Sequence, residues 1–209
     1  MKRIATFLIA MYSGLTLASG MEALESFLKT TRSGKAAFTQ VVTSPSRDGQ
    51  TPRSKSSSGS FEFQRPKHFR FAYQKPFEQT IVADGQTLWL YDVDLNQVTA
   101  RKQAQALGST PAALIATAPD LRALQTDFVL QNAPDKDGLQ WVNGAPKAVE
   151  SQVIGIRVGF KGNELAALEI LDSFGQRSAL AFGKLELNPT FAADHFQFKP
   201  PSGADVIRP

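Results

Sequence analysis

Asp92, Asp94 and Asn96 stand at alternate positions, the spacing with which an EF-hand loop begins to gather oxygen ligands for calcium. Such a loop needs glycine at its sixth position and a bidentate glutamate at its twelfth; this chain has Gln97 and Gln103 there. The expectation is therefore a turn held by Asp side chains. Ser26 and Lys29 fit a Ser-x-x-Lys pattern, but no Ser-Asp-Asn or Lys-Thr-Gly element accompanies them, so no acylating serine is assigned. Gly155, Gly159 and Gly162 have the wrong spacing for a dinucleotide fingerprint, and neither a phosphate loop nor Gly-x-Ser-x-Gly is present. The only histidines, His68 and His195, have no Ser or Asp partner at a useful spacing and are too few for a histidine metal cage. The absence of cysteine removes disulfide frameworks, thiolate zinc sites, Fe–S clusters, thiol nucleophiles and thioether lipid anchors. No catalytic residue, metal or cofactor is expected. An enzyme acting on lipid or glycan would need a constellation that this chain lacks.

What remains is apolar and aromatic. Fifteen Phe in 209 residues, with hydrophobic types at 42%, suffice for one medium domain with a substantial core. The aromatic and basic run from Phe61 to Tyr73, with Arg65, Lys67 and Arg70, has the make-up of a platform for single-stranded nucleic acid. The N-terminus argues against that partner. Lys2 and Arg3 precede an apolar stretch, Ile4 to Met11, and small residues follow up to Gly20. This is the pattern of a secretory signal peptide, too short to span a bilayer. Residues 1–20 are read as the leader, with cleavage after Gly20 or one or two residues away, and 21–209 as a single mature domain. Removing Lys2 and Arg3 takes the net charge from +4 to +2. Leu17-Ala18-Ser19-Gly20 resembles the stretch before a lipid-carrying cysteine, yet Met21 follows, so the mature protein is expected to be free of an acyl anchor.

The elements that must position these residues follow from periodicity. Ala23, Leu24, Phe27 and Leu28 recur at helical spacing, predicting an amphipathic helix over Glu22–Ser33 that Gly34 ends. Lys35–Thr43 reads as a strand, and Ser44–Gly59 as a polar, Ser-rich loop. Ten short strands follow, over Ser60–Arg65, His68–Gln74, Gln79–Ala83, Thr87–Tyr91, Gln97–Lys102, Asp127–Gln131, Leu139–Val142, Val153–Phe160, Ala166–Leu171 and Ser178–Leu187. Asp84-Gly85, Asp137-Gly138, Asn143-Gly144 and Gly162-Asn163 mark the hairpins. One short apolar helix, Thr110–Thr117 with Pro111 at its first position, interrupts them. Pro119 stops it, and Asp120 caps a further turn through Leu124. About ten short strands at near-regular spacing argue a mainly β domain, an antiparallel sheet strongly curved or closed, with an N-terminal helix and a short helix between strands.

Alternation gives the faces. Phe61 and Phe63 oppose Ser60, Glu62 and Gln64; Phe69, Phe71 and Tyr73 oppose His68, Arg70 and Gln74. Leu88-Trp89-Leu90-Tyr91 is apolar on both faces. Ile156, Ile170 and Phe182 extend the apolar face across later strands. So little helix over so aromatic a concavity leaves an apolar hollow, which is the physical form of a lipid site.

Four stretches together, Gly59–Arg70, Ile81–Asp92, Gly108–Ile115 and Phe196–Gly203, resemble in order and spacing the periplasmic outer-membrane lipoprotein carriers of the LolA family. The resemblance spans essentially the whole mature chain. It implies a mainly β fold, a strongly curved, incomplete antiparallel β-barrel with an N-terminal helix and short helices forming a lid over an apolar concavity. It implies as well that acylated lipoproteins are accepted from an ATP-driven releasing complex of the inner membrane and delivered to an outer-membrane receptor. In that family the arginine of the Arg-Pro motif latches the lid helices through their backbone, and Arg65 holds that place. Pro111, Ala112, Ala113, Leu114 and Ile115 match the lid, which runs on to Ala116. Phe61, Phe63, Phe69, Phe71, Trp89, Tyr91, Ile156, Ile170 and Phe182 are the expected acyl-chain contacts. The Ser44–Gly59 loop is longer and more basic than the family pattern, and only a short tail follows Pro201. The expected protein is a monomeric periplasmic chaperone that binds no nucleic acid. The alternative is an envelope lipid-binding sensor on the same fold, and the cysteine-free sequence argues against the anchored receptor.

Overall fold

The computed structural model describes residues 19–46, 51–106, 115, 117–149 and 151–209. It opens with helix α1 (Gly20–Thr30), whose buried stripe is Ala23, Leu24, Phe27 and Leu28. Ser19 caps it in a reciprocal capping box with Glu22, one turn earlier than the periodicity starts. Strands β1 (Ser33–Thr43), β2 (Ser54–Gln64), β3 (His68–Lys75), β4 (Gln79–Asp84), β5 (Thr87–Asp92) and β6 (Gln97–Lys102) then run as an antiparallel meander. A short helix α2 (Gln103–Ala106) and helix α3 (Leu121–Asp127) precede β7 (Phe128–Lys136), β8 (Leu139–Pro146), β9 (Val153–Lys161), β10 (Glu164–Asp172) and β11 (Arg177–Phe182). The short strands β12 (Glu186–Leu187) and β13 (Asp205–Ile207) complete the chain.

All of these strands belong to one sheet, ordered β13-β6-β5-β4-β3-β2-β1-β11-β10-β9-β8-β7, with β12 pairing a second stretch of β1. The sheet is not closed: β13 and β7 are its two edges. One face carries the main core, in which Phe61, Phe63, Phe69, Phe71, Ile156, Leu168 and Leu180 meet Phe27 of α1, Ile115, Ala118 and Leu124. The alternation pointed to a mainly β domain with an N-terminal helix, and the unclosed sheet is what the family resemblance implied.

Several boundaries differ from the sequence expectation. Ser54–Gly59 is not loop but the first half of β2, paired from Thr43↔Ser54 to Phe38↔Gly59. Main-chain hydrogen bonds to β1 hold it although its serines and Lys55 offer little apolar surface, so alternation gave no signal. Asn143-Gly144 is not a turn but lies within β8. A Cβ on Gly144 would sit 2.7 Å from Ile156 Cγ1, so the glycine there permits close approach of a neighbouring side chain. Asp137-Gly138 is a true hairpin turn, with φ of 56° and 74°. The last expected strand divides into β11 and β12, and β13, parallel to β6, was not anticipated. At the β5–β6 turn Asp92 Oδ1 accepts from the Leu95 N–H, so the failed calcium motif is a turn held by its Asp, as expected.

Candidate functional site

Alternation along β2 sends Phe61 and Phe63 inward, and the next inward position, Arg65, comes just past the strand end. Its backbone N–H donates to the Arg32 carbonyl, which fixes the residue beside the end of α1. The side chain is 8% exposed. Nε donates to the Thr31 carbonyl at 2.8 Å, and Nη1 donates to the carbonyls of Ile115 at 3.1 Å and Ala118 at 2.6 Å. The guanidinium lies 5.2 Å from the ring centroids of both Phe27 and Phe63. A planar, weakly hydrated cation with a fork of donors suits this place, because it stacks on rings while bonding several carbonyls at once.

The arrangement is incomplete in two respects. Nη2 is buried and makes no hydrogen bond among the described residues, and no carboxylate there lies within ion-pair distance of the group. Burial, reinforced by the nearby charge of Arg32, pulls the guanidinium down to about 10. Arg65 is therefore a charged group held by three carbonyls and two ring faces in a site that penalises its charge.

The aromatic face around it is continuous. Phe61 stacks on Phe71 at 4.4 Å and on Phe63 at 5.7 Å, and Phe182 lies 5.6 Å from Phe61. Phe69 meets Phe71 edge-on at 6.1 Å. Phe27 covers Phe63 and Phe160 from α1 at 6.1 and 5.9 Å. Phe61, Phe63 and Phe69 are fully buried, Ile156 is buried, and Ile170 and Phe182 border the cluster half-buried. Of the expected lid residues, Pro111, Ala112, Ala113 and Leu114 lie outside the described residues. Ile115 is helical, buried in the same cluster, and offers its carbonyl to Arg65.

Trp89 and Tyr91 require a correction. They lie on the opposite face of the sheet, where Trp89 pairs with Val82 and Ala100, and Tyr91 with Val98. Phe198 packs on both, at 5.5 and 6.1 Å, and Trp89 Nε1 donates to Asp84 Oδ2. A strand that is apolar on both faces does not announce which face meets the main core. Here the even-numbered Leu88 joins that core, and the odd-numbered aromatics form a second, outer one beneath the C-terminal segment.

Sequence reasoning also missed the polar groups that fasten this outer segment. Glu62 is 7% exposed, with Oε1 3.0 Å from Lys35 Nζ and Oε2 2.8 Å from His195 Nε2. Arg70, its cross-strand neighbour, donates to the His195 carbonyl. Burial alone would raise the Glu62 carboxyl, but the hydrogen bonds and charges of His195 and Lys35 outweigh it and hold the group below its ordinary value. The polar alternation of β2 was visible; a partner more than 130 residues away was not.

The model of the family described as "Outer membrane lipoprotein carrier protein LolA" matches residues 29–199. The chain is 65% identical to an outer-membrane lipoprotein carrier protein of Albidiferax ferrireducens, over the full length of both. It is 52% identical to one of Methylibium petroleiphilum, over 95% of this chain and 94% of the relative. Among solved structures, an uncharacterized conserved protein of Thermus thermophilus superposes with a TM-score of 0.54 at 12% identity, covering 90% of this chain and 96% of the other, and so shares the fold. Relatives named as carriers do not favour the sensor alternative. With the family model covering most of the chain and a relative alike from end to end, the chain belongs to the LolA family of outer membrane lipoprotein carrier proteins.

Proposed function

We infer that this protein is a lipoprotein chaperone of the bacterial envelope, and that its inner aromatic face receives the acyl chains. The observation that carries the reading is Arg65: a buried cation fastens the backbone at Thr31, Ile115 and Ala118 over a face built from Phe61, Phe63, Phe69, Phe71 and Phe182. Each methylene moved from water to an apolar site is worth roughly 0.8 kcal/mol, so one acyl chain gains on the order of 10 kcal/mol there. A bilayer offers a similar gain. Loading therefore requires external work, supplied by an ATP-driven complex of the inner membrane, and unloading requires an outer-membrane receptor of higher affinity.

In this reading the residues preceding the domain are a leader, removed on export to the periplasm. No described helix is long and apolar enough to cross a membrane. The protein acts by binding and exposing a surface, without bond chemistry, and travels as a monomer.

The test is release of newly made, acylated lipoproteins from spheroplasts on addition of the purified mature protein. Lipoproteins recovered in a soluble one-to-one complex are the expected result. If spheroplasts that retain their releasing complex shed none, the carrier reading fails.

A further inference from the structure

The inner face does not end in aromatics. Toward the end of β2 away from Arg65 its inward positions turn polar, and Gln40 of β1 stands there between Ser57 of β2 and Leu180 of β11. The Tyr73 hydroxyl donates to Gln40 Oε1 at 2.9 Å, and Gln40 Nε2 donates to Ser178 Oγ at 2.7 Å. This chain of bonds runs from β3 to β11 beside the buried rings. Tyr73 belongs to both layers: its ring meets Phe38 edge-on at 5.1 Å and stacks on Phe71 at 6.3 Å, while its oxygen joins the polar side. Gly59, the register partner of Phe38 and of Tyr73, puts no side chain between the two rings. Burial raises the Tyr73 hydroxyl above its ordinary value, so it keeps its proton and its role as donor.

Gln40, Ser57 and Tyr73 also line an open hollow of about 830 Å³. The charges around it balance, Lys55 and Lys75 against Asp92 and Asp94, which favours a neutral polar occupant over an ion. Donors for such an occupant are in place. Gln40 Nε2 keeps a second hydrogen, and the Ser178 hydroxyl, having accepted from Gln40, keeps its own; neither is given to a partner among the described residues.

Every acyl chain ends in a carbonyl. A chain laid on Phe61, Phe71 and Phe182 meets rings along its length, but its ester or amide carbonyl is an acceptor that loses water on entry and needs a donor in exchange. We propose that Gln40, Tyr73 and Ser178 form a subsite for the carbonyl ends of bound acyl chains: Gln40 Nε2 and the Ser178 hydroxyl donate to them, and Tyr73 holds the Gln40 amide in the orientation that allows it. The layer distinguishes an acyl ester from plain hydrocarbon, which rings alone cannot do. This inference rests on the reading that the inner face receives acyl chains.

The test compares two synthetic lipopeptides on the mature protein by titration calorimetry. In one, the N-terminal cysteine carries a dipalmitoylglyceryl thioether; in the other, both esters are replaced by ethers of the same chain length, which are poor acceptors. Wild type is expected to bind the ester about fivefold more tightly than the ether. In Gln40→Leu that ratio should fall close to one, and in Ser178→Ala by about twofold, because each removes a donor. A ratio within one protein is unaffected by a general loss of stability, and thermal melts identify which variants fold. A wild-type ratio near one overturns the proposal, and so does the full wild-type ratio retained in either folded variant. If wild type binds neither lipopeptide, the acyl-chain reading itself is wrong.

Discussion

Nη1 of Arg65 lies 2.6 Å from the carbonyl oxygen of Ala118, 53 residues further along the chain, and donates a hydrogen bond to it across the edge of the aromatic core. This contact joins the strand that carries Phe61 and Phe63 to the segment that covers them. A side chain with one ammonium group could not bond Thr31, Ile115 and Ala118 in their present places while lying against two rings.

Arg65→Leu is accordingly expected to fold, because leucine fills much of the same apolar space and removes an under-compensated charge. Far-UV circular dichroism should match wild type, with a melting temperature changed by no more than about 5 °C. Transfer of lipoprotein to an outer-membrane receptor in a reconstituted assay should drop strongly. Arg65→Lys should not restore it, and unchanged transfer in either variant would contradict the latch.

Two positions on the inner face should behave differently. Phe61 is fully buried against Phe63, Phe71 and Phe182, so Phe61→Ala is expected to cost about 3–5 kcal/mol in urea denaturation. Phe182 is only half-buried at the border of the same cluster. Phe182→Ala should cost less than half as much, yet weaken binding of a fluorescent fatty acid several-fold. Equal loss of stability at both sites would remove the distinction between core and ligand contact.

The outer core makes an opposite prediction. Phe198→Ala strips the ring that covers Trp89 and Tyr91, so tryptophan emission should shift to longer wavelength and stability should fall by about 2–4 kcal/mol. Fatty-acid affinity of the folded fraction should stay within about twofold of wild type, since this ring lies on the other face of the sheet. A large loss of affinity would place Trp89 back among the ligand contacts.

Glu62 gives a pH signature. Its carboxyl is lowered from an ordinary value of 4.5, so the unfolded chain binds its proton more readily than the folded one. The stability it contributes is present above pH 4.5 and is lost as pH falls through the folded-state value. Glu62→Gln should therefore reduce the melting temperature at pH 7 and flatten its decline below about pH 4.5. Parallel melting curves for the two proteins across that acid window would rule the linkage out.

Much of this protein was determined locally and so is readable from its sequence. The alternation of Phe61, Phe63, Phe69 and Phe71, the helical spacing of Ala23, Leu24, Phe27 and Leu28, and the Asp137-Gly138 turn each depend on residues a few positions apart, where backbone geometry dictates which side chains share a face. What only the tertiary structure decided are the choices among surfaces that local pattern leaves equivalent. Leu88 and Trp89 are both large and largely apolar, yet Leu88 joins the main core while Phe198, returning from the C-terminal segment, covers Trp89 on the other face. Ser54–Gly59 becomes strand because β1 supplies the missing hydrogen bonds. Glu62 is paired because His195 arrives from 133 residues away, and Arg65 is held because Ile115 and Ala118 bring their carbonyls to it from 50 and 53 residues away. Periodicity reports which side of an element is apolar; which distant group covers that side is settled by packing of the whole chain.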